Sequence, residues 1–270
     1  MPPEALTVVG SVNLDLVARV RRLPRPGETV SDATFSRYPG GKGANQAVAA
    51  ARLGSDVTFV GCVGEDAFAD EALAGLEQAG VRMEVERAGE TGIALIVVSA
   101  RGENQIVVVP GANATVAPRA VAGNVLCQLE VPIETVAAAA EHATFFCLNA
   151  APARPVPAEL VERADLVVVN RFELDGLSAE PRLAALTLGE EGAILLEDGK
   201  EVARAAPPPV DAVDGTAAGD AFTACLVVSL LEGRDRATSL QRACAAGALA
   251  ASRPGAQPSL PTAGEVDALL

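Results

Sequence analysis

Short apolar runs alternate with alanine-rich amphipathic stretches along most of the chain, and this alternation limits the fold to a few architectures. Apolar runs of four or five residues are typical of strands buried on both faces, and the alanine-rich stretches are typical of the crossovers between parallel strands. The strand candidates are residues 6–9, 57–60, 144–148, 166–169 and 193–196, and the helix candidates are residues 44–53, 67–79, 221–231 and 239–251. The sequence therefore predicts an α/β fold with a central, mainly parallel sheet flanked by helices.

Two regions, 14–38 and 91–109, break this alternation, because both resemble strands joined by turns. In the second region, Arg-Gly-Glu-Asn at 101–104 separates two β-branched runs, a pattern typical of a hairpin. The pattern leaves open whether these strands form a lid over a ligand site or an edge extension of the main sheet. We assign residues 13–38 and 91–110 to a small β-sheet, and residues 1–12, 39–90 and 111–270 to the α/β core.

The charge of the chain argues against nucleic acid as a partner. The formal net charge is -14, whereas a phosphate backbone is bound by Lys and Arg on a basic face. Lys42 and Lys200 are the only lysines, so an anionic ligand has to be bound by local groups rather than by bulk positive charge. No apolar run reaches the roughly 20 residues that a bilayer span needs, so we expect no membrane partner.

The cysteines and the first residues of the chain indicate a cytoplasmic protein. The five cysteines are widely spread and lie mostly in apolar runs, which favours buried reduced thiols over disulfides or a metal site. Residues 1–6 lack the charged start and apolar middle of a secretion signal.

The most informative segment is 211–224, where a polar turn leads through small residues into an apolar helix. Ala217, Ala218 and Gly219 allow backbone N–H groups to approach an anion at the helix N-terminus, where the dipole favours negative charge. Asp220 follows directly. It is either an ordinary first-turn carboxylate or a general base, since a carboxylate next to a bound phosphate accepts the proton of an attacking hydroxyl.

Two polar segments lie near the start of the chain. Residues 10–15 put Asn13 and Asp15 on the same side of an extended chain, where an amide and a carboxylate suit a polyhydroxylated ligand; a simple turn is the alternative. Residues 39–46 place three glycines around Lys42 at the start of a predicted helix, which favours a close backbone approach to a ligand over a flexible helix entry. This segment lacks the glycine spacing and the Ser or Thr of a Walker A loop.

Two further turns border predicted strands. Asn170 and Glu173 lie at the carboxyl end of the run 166–169, where ligands collect in open α/β sheets. Their spacing suits either a hydrated Mg²⁺ near phosphates or a helix N-cap with a first-turn Glu. The turn 187–192 has glycines that would admit a nucleotide, and a plain turn is the alternative.

These segments, in this order, resemble the signature motifs of the ribokinase family of sugar kinases, also called the PfkB family, over nearly the whole chain. The matching motifs are Gly-Ser-Val-Asn-Leu-Asp at 10–15, Gly-Gly-Lys-Gly-Ala-Asn-Gln at 40–46, Asn-Arg-Phe-Glu at 170–173 and Ala-Ala-Gly-Asp at 217–220. Segments 128–132, 148–154 and 255–259 are similar to the ribose kinases of this family. The resemblance implies a ribokinase-like fold with a nucleotide- and sugar-binding core under a β-sheet lid, ATP-dependent phosphorylation of the 5-hydroxyl of D-ribose, and a homodimer formed through the lid.

The resemblance also implies a role for each matching residue. Asp220 would activate the sugar hydroxyl, and the amides of Ala217, Ala218 and Gly219 would stabilise the transferring phosphoryl group. The sugar would be bound by Asn13, Asp15, Gly41, Lys42, Gly43, Asn45 and Glu130. The nucleotide would be bound by Asn170, Thr187, Gly189, Gly192, Gly219 and Cys244. Glu173 would organise Mg²⁺ and phosphate, and a K⁺ activator would be bound by Asp214, Thr216, Ala250, Arg253, Gly255 and Ser259.

The chain departs from the family pattern at several points. Apparent deletions lie at 116–128, 140–144 and 177–187, where crossover helices are expected, so some peripheral helices should be short or absent. Cys244 stands where family members often have a histidine near the adenine, and Gly215 replaces the usual Thr after Asp214. Two alternatives stay open: a kinase for another sugar or a nucleoside, such as fructose or 2-keto-3-deoxygluconate, and a catalytically silent regulator that binds sugar or nucleotide.

Overall fold

The computed structural model describes residues 5–270, so the first four residues of the predicted core range 1–12 lie outside the described residues. The strands are β1 (Leu6–Val9), β2 (Asn13–Val20), β3 (Thr34–Gly40), β4 (Val57–Val63), β5 (Arg82–Arg87), β6 (Gly92–Ser99), β7 (Asn104–Val109), β8 (Gly123–Cys127), β9 (Ala143–Asn149), β10 (Leu166–Asn170), β11 (Leu183–Thr187), β12 (Ala193–Glu197) and β13 (Lys200–Ala205). The helices are α1 (Lys42–Arg52), α2 (Ala69–Gln78), α3 (Ile133–Ala140), α4 (Ala158–Arg163), α5 (Arg171–Leu174), α6 (Ala218–Leu231), α7 (Arg236–Ala251) and α8 (Ala263–Asp267).

Nine strands form the main sheet, in the order β13-β12-β11-β10-β9-β8-β1-β4-β5. The strands from β11 to β5 are parallel, and Val8 of β1 pairs with Phe59 on one side and Leu126 on the other. The predicted parallel sheet is therefore confirmed. β12 and β13 are antiparallel additions at one edge, joined by the two-residue turn Asp198-Gly199, in which both residues have the positive φ that a tight hairpin turn requires.

Helices cover both faces of the main sheet. On one face α1, α2, α6 and α7 pack over apolar side chains such as Leu6, Val8 and Phe59. On the other face α3 and α4 pack over the alternate side chains, such as Val9 and Phe146. The ten residues 220–229 of α6 are all buried, which its almost uniformly apolar sequence allows. No helix within residues 5–270 has both the length and the apolar character to cross a bilayer.

The second face is covered by short helices. Helices α3, α4 and α5 have eight, six and four residues, and residues 117–122 before β8 form neither helix nor strand. The expected loss of peripheral helices is therefore observed at these crossovers. Val136 of α3 and Leu160 of α4 still lie buried in the core on this face.

Four strands form a second, smaller sheet in the order β3-β2-β6-β7, which we call the lid. β2 is parallel to β6 and antiparallel to β3, and the predicted hairpin around 101–104 joins β6 to β7. The lid is not hydrogen-bonded to the main sheet, so the edge-extension alternative is wrong. β3 continues two residues beyond the assigned segment 13–38, because Gly40 pairs with Asn13 at the start of β2.

Candidate active site

The candidate site lies at the carboxyl ends of the central strands. After β1 the chain builds β4 and β5 on one side, and β8 to β11 follow on the other side, so the connections diverge between β1 and β8. Such a switch point leaves a crevice at the carboxyl edge of a parallel sheet. Lid residues and the strand ends together line a cavity of about 330 Å³ at this edge.

Asp220 lies in the first turn of α6, at the cavity. Ala217, which precedes the helix, has a φ of 60° in the left-handed region that non-glycine residues seldom adopt. The N–H of Ala218 donates to the carbonyl oxygen of Gly215 at 3.2 Å, whereas the N–H groups of Gly219 and Asp220 have no acceptor within the described chain. These free donors and the helix dipole are suited to bind an anion beside the carboxylate.

The Asp220 carboxylate is held by two side-chain amides of α1. Asn45 Nδ2 donates to Oδ2 and Gln46 Nε2 donates to Oδ1, both at 2.9 Å. Burial raises the pKa of Asp220, while the nearby ammonium group of Lys42 and these two hydrogen bonds lower it. A buried, oriented carboxylate with a raised pKa is suited to accept a hydroxyl proton.

A group of buried amides supports Asp220 from behind. Gln46 Nε2 also donates to Asn149 Oδ1 at 2.9 Å, and Gln46 Oε1 accepts from Gln128 Nε2 at 2.6 Å. Asn149 donates to the carbonyl oxygen of Val168, so the group is anchored on the central strands. Sequence reasoning assigned no role to Gln46, Gln128 or Asn149. Each lies in a segment that matched the family, and that match is the signal from which they could have been found.

Asn13 and Asp15 lie on the same face of β2 and both line the cavity, so their extended arrangement is confirmed and the turn alternative is wrong. Asn113 donates to Asn13 Oδ1 at 2.7 Å, which fixes the orientation of the Asn13 amide. Burial raises the pKa of Asp15 to about 7, and the carboxylates of Glu130 and Asp220 add to this effect. A buried amide and carboxylate that face a cavity are suited to hydrogen-bond the hydroxyl groups of a ligand.

Glu130 connects the chain after β8 to the glycine-rich segment. Its Oε2 accepts from the hydroxyl of Ser11 at 2.5 Å and from the N–H of Lys42 at 3.0 Å. Ser11 is a further residue that could not be assigned a role from the sequence, because its partner lies 119 positions further along the chain.

The glycines of the segment make close backbone contacts. Gly41 has a φ of 88°, in the region that glycine adopts readily. A Cβ at Gly43 would lie 2.6 to 2.7 Å from backbone atoms of Ser11 and Gly10. The backbone of Gly43 therefore packs closely against the connection between β1 and β2.

Lys42 is the one cationic side chain that lines the cavity within residues 5–270. Burial lowers its pKa, but the carboxylates of Asp220, Glu130, Glu173 and Asp15 outweigh burial, and the pKa of Lys42 is raised. The cavity thus contains four acidic side chains and one basic side chain. A phosphorylated ligand needs additional positive charge to bind here.

Asn170 and Glu173 form a capping box at the start of α5. Asn170 Oδ1 accepts from the N–H groups of Phe172 and Glu173, and Glu173 Oε2 accepts from the N–H of Asn170. The N-cap interpretation is confirmed, and both residues also line the cavity. Burial raises the pKa of Glu173. Their role towards Mg²⁺ stays a prediction.

The family resemblance assigns the turn that follows β11 to nucleotide binding, and Thr187 at the end of β11 lines the cavity. Gly189 and Gly192 both have positive φ, and a Cβ at Gly192 would lie 2.0 Å from the carbonyl oxygen of Ala205, so packing against β13 requires this glycine. Cys244 is buried in α7, with Sγ 3.6 Å from the same carbonyl oxygen, and burial raises its pKa to about 11. Like the other four cysteines it is a buried free thiol, as predicted.

Asp214 lies in the loop before α6, and its carboxylate accepts four hydrogen bonds. Oδ1 accepts from the N–H and the hydroxyl of Thr216, at 3.0 and 2.6 Å. Oδ2 accepts from the N–H of Gly255 at 3.0 Å and from Nη2 of Arg19, a lid residue, at 3.1 Å. Burial alone would raise the pKa of Asp214, but these hydrogen bonds lower it, so the group is a carboxylate at neutral pH.

The cavity brings together about half of the predicted site residues. Those that line it are Asn13, Asp15, Gly41, Lys42, Asn45, Glu130, Asn170, Glu173, Thr187, Thr216, Ala217, Gly219 and Asp220. Those that do not line it are Gly43, Ala218, Gly189, Gly192, Asp214, Cys244, Ala250, Arg253, Gly255 and Ser259. The ligand roles of both groups stay predictions.

Residues 4–263 match the model of a family described as pfkB family carbohydrate kinase. Over 292 aligned positions the chain is 40% identical to the ribokinase of Bacillus subtilis, and the alignment covers 98% of this chain and 99% of that protein. A crystal structure of ribokinase from Thermotoga maritima matches with a TM-score of 0.88 at 30% identity, covering 98% of this chain and 99% of that one. The structure of Arabidopsis thaliana ribokinase complexed with ribose and ATP matches with a TM-score of 0.85 at 31% identity. This match covers 100% of this chain and 99% of that one.

Proposed function

The chain belongs to the pfkB family of carbohydrate kinases, and on this basis we propose that it transfers the γ-phosphoryl group of ATP to the 5-hydroxyl of D-ribose. The observation that carries the proposal is the position of Asp220 at the free N-terminus of α6, in the same cavity as Asn13 and Asp15. One end of this arrangement activates a hydroxyl group and stabilises a phosphoryl group. The β2 residues bind the remaining hydroxyls of a sugar.

In the proposed reaction, Asp220 accepts the proton of the 5-hydroxyl as the sugar oxygen attacks the γ-phosphorus. A bond forms between that oxygen and phosphorus, the bond from phosphorus to the β-γ bridging oxygen breaks, and ADP leaves. Asn45 and Gln46 hold the base in place through their hydrogen bonds. The N–H groups at the start of α6 stabilise the charge on the phosphoryl oxygens, because phosphoryl transfer depends on positioning and electrostatics.

Lys42 contributes the protein's own positive charge in this cavity. Its ammonium group is kept protonated by the surrounding carboxylates, which raise its pKa. We propose that the Lys42 ammonium group interacts with the negatively charged phosphates as well as with the sugar. Its position directly after Gly41, at the start of α1, keeps the side chain beside Asp220.

We propose Mg²⁺ as the second source of positive charge, bound together with ATP. The residues present fit this ion, because Mg²⁺ keeps several waters and takes one or two carboxylates plus substrate phosphates. Glu173, with Asn170 beside it, would hold the hydrated ion at the cavity. Within residues 5–270 no group of three or more His, Cys, Asp or Glu could bind a metal ion, so water and the ATP phosphates would supply the remaining ligands. When bound, Mg²⁺ neutralises phosphate charge.

We also propose a K⁺ site, with the set of residues implied by the family resemblance, centred on Asp214 and the loop 250–259. The donor chemistry fits, because a carboxylate, hydroxyl groups and backbone carbonyl oxygens are the ligands of hard cations. The Asp214 carboxylate is also anionic and mostly buried, with 12% of its side chain exposed, so it needs a positive charge beside it, which Arg19 Nη2 supplies in this structure at 3.1 Å. Thr216 connects this site to the anion-binding start of α6.

D-Ribose is supported over the alternatives by the sequence relationship. The relative from Bacillus subtilis is named a ribokinase, and the Arabidopsis thaliana ribokinase structure is complexed with ribose and ATP. A silent regulator is disfavoured because the chain retains Asp220 and the amides that orient it, which binding alone does not require.

We propose that two copies of the chain associate through their lids. Phe35, Leu95 and Val107 of the lid are 64%, 45% and 60% exposed, and such a concentration of apolar side chains is typical of an interface. The outer strands β3 and β7 also leave unpaired edges. Sedimentation of the wild type and of Val107→Glu tests this: the wild type should be a dimer and the variant a monomer. A monomeric wild type would contradict it.

We place the protein in the cytoplasm, because its five cysteines are free thiols, as expected in a reducing compartment.

The experiment that tests the proposed function is an assay of ADP release with D-ribose, D-fructose, 2-keto-3-deoxygluconate and adenosine, in KCl and in NaCl. We expect the highest kcat/KM with D-ribose and a higher rate in KCl. A higher kcat/KM with another acceptor would show that this acceptor, and not D-ribose, is the preferred substrate. No ADP release from folded protein with any acceptor would support the silent regulator.

A further inference from the structure

Arg19 of the lid forms an ion pair with Asp214, which lies 195 positions away in the loop before α6. The distance from Arg19 Nη2 to Asp214 Oδ2 is 3.1 Å, and the side chains are 35% and 12% exposed. Neither residue type nor spacing connects the two segments, so this contact could not be predicted from the sequence.

The placement of Arg19 follows from the alternation of β2. Asn13, Asp15 and Arg19 are separated by even numbers of residues, so they lie on the same face of the strand. The first two line the sugar end of the cavity, and Arg19 reaches the loop before α6. Tyr38 of the neighbouring strand β3 lies against the other loop of the proposed cation site, since a Cβ at Gly255 would be 3.3 Å from its ring. The lid therefore contacts both loops of that site.

All acceptor positions of the Asp214 carboxylate are in use, and Arg19 occupies one of them. A carboxylate offers about four lone pairs. Three are used by donors from the two loops themselves, namely the N–H and hydroxyl of Thr216 and the N–H of Gly255. The fourth is used by Arg19. A cation that binds Asp214 must displace the one donor that comes from outside the loops.

We propose that Arg19 is an internal competitor of the monovalent cation: its guanidinium group and K⁺ exclude each other at Asp214. The inference rests on the cation site in the proposed function and adds the residue that regulates it. When Arg19 is in place it supplies the positive charge that Asp214 needs, so the loop leading to Asp220 keeps its shape without K⁺. When the lid moves away, Arg19 leaves and a cation takes its place.

The test compares wild type, Arg19→Gln, Arg19→Lys and a matched control, Arg21→Gln. Arg21 lies just beyond β2, is 88% exposed and pairs with Asp32 in the connection between β2 and β3, so its loss removes a positive charge next to the lid without touching Asp214. The Tm of each protein is measured as KCl replaces tetramethylammonium chloride at constant ionic strength. A ligand that binds only the folded state raises Tm in proportion to its occupancy, so this measurement does not depend on activity.

We expect Arg19→Gln to lower the KCl concentration for the half-maximal Tm shift about fivefold, the effect of removing a competing ion pair of ordinary strength. Arg19→Lys, which keeps a charge in place, and Arg21→Gln should both resemble the wild type. ADP release in tetramethylammonium chloride should fall in Arg19→Gln, and KCl should restore it.

An identical KCl dependence in wild type and Arg19→Gln would overturn the proposal. A Tm that does not respond to KCl in any of the four proteins would also overturn it, together with the cation site. Neither result affects the sugar-kinase function, which the activity with D-ribose tests separately.

Discussion

The amide nitrogen of Gln46 lies 2.9 Å from Asp220 Oδ1 and also 2.9 Å from Asn149 Oδ1, so a single NH₂ group connects the candidate base to the carboxyl end of β9. Gln128 fixes the other end of the same side chain by donating to its oxygen. Gln46 and Gln128, which do not line the cavity, therefore help to orient Asp220 together with Asn45 and Asn149, which do.

Replacing Gln46 should reduce catalysis without removing substrate binding. In Gln46→Met the hydrogen bond to the Asp220 carboxylate is lost, so we expect kcat to fall about 10- to 100-fold, the effect of losing a hydrogen bond to a charged group. Because this hydrogen bond lowers the pKa of Asp220, the basic form is reached at higher pH, and the acidic limb of the kcat profile should shift upward. The KM for D-ribose should change little. Gln78→Met, at the exposed end of α2, is the control; an unshifted pH profile in Gln46→Met would contradict the positioning role.

Ribose affinity should depend on the ionisation of Asp15. Its pKa is about 7 in the folded protein, because the group is buried next to Glu130 and Asp220. The ionised carboxylate accepts hydrogen bonds from sugar hydroxyls, so we expect the Kd for D-ribose, measured by calorimetry, to rise as the pH falls below 7. Asp15→Asn should bind ribose weakly and with no change in Kd between pH 6 and 8. The same pH dependence in wild type and variant would exclude Asp15 as its source.

The same residue should lower the stability of the ligand-free protein. A folded-state pKa above the unfolded value means that the folded state binds the proton more tightly between about pH 4 and 7, so stability falls as the pH rises through this window. Asp15→Asn removes this pH-dependent loss of stability, so we expect its free energy of unfolding at pH 8 to exceed that of the wild type by about 2 kcal/mol. This is less than the value expected from the full pKa shift, because the carboxyl group borders the cavity. The difference should disappear below pH 4, and urea unfolding at pH 4 and pH 8 measures it.

Gly43 should be intolerant of a side chain for a structural reason. A Cβ there would meet the backbone of Gly10 and Ser11 at 2.6 to 2.7 Å, and backbone atoms of a buried connection have little freedom to move. We expect Gly43→Ala to lower the free energy of unfolding by about 2 to 4 kcal/mol. Gly264→Ala in α8 has open space around the added methyl group and should leave stability unchanged or up to about 1 kcal/mol higher. Equal stabilities of the two variants in urea would contradict the packing argument.

Much of the architecture could be predicted because apolar runs and helical spacing are local signals. The strands around Val8, Phe59 and Val168 lie where the pattern placed them. The antiparallel directions of β12 and β13 could not be derived from their apolar residues, because the two turns at 188–192 and 198–199 decide them.

The site could be predicted only where a motif carries the chemistry within a few residues. Asn13, Asp15 and Asp220 lie in such motifs. Gln128 and Arg19 were missed because they act on partners 82 and 195 positions away, and only the fold brings them together. The spacing of Asn170 and Glu173 matched both a helix N-cap and a Mg²⁺-binding role. The two residues form the capping box of α5, and this box also places them at the cavity.

The central claim is that Asp220 is the base of an ATP-dependent ribose kinase, and the most direct test measures ADP release and ribose binding in Asp220→Asn. Loss of a general base reduces turnover by about 100- to 10,000-fold. We therefore expect kcat to fall at least about 100-fold, while the Kd for D-ribose measured by calorimetry stays within about threefold of the wild type. A variant that keeps the wild-type kcat would contradict the account.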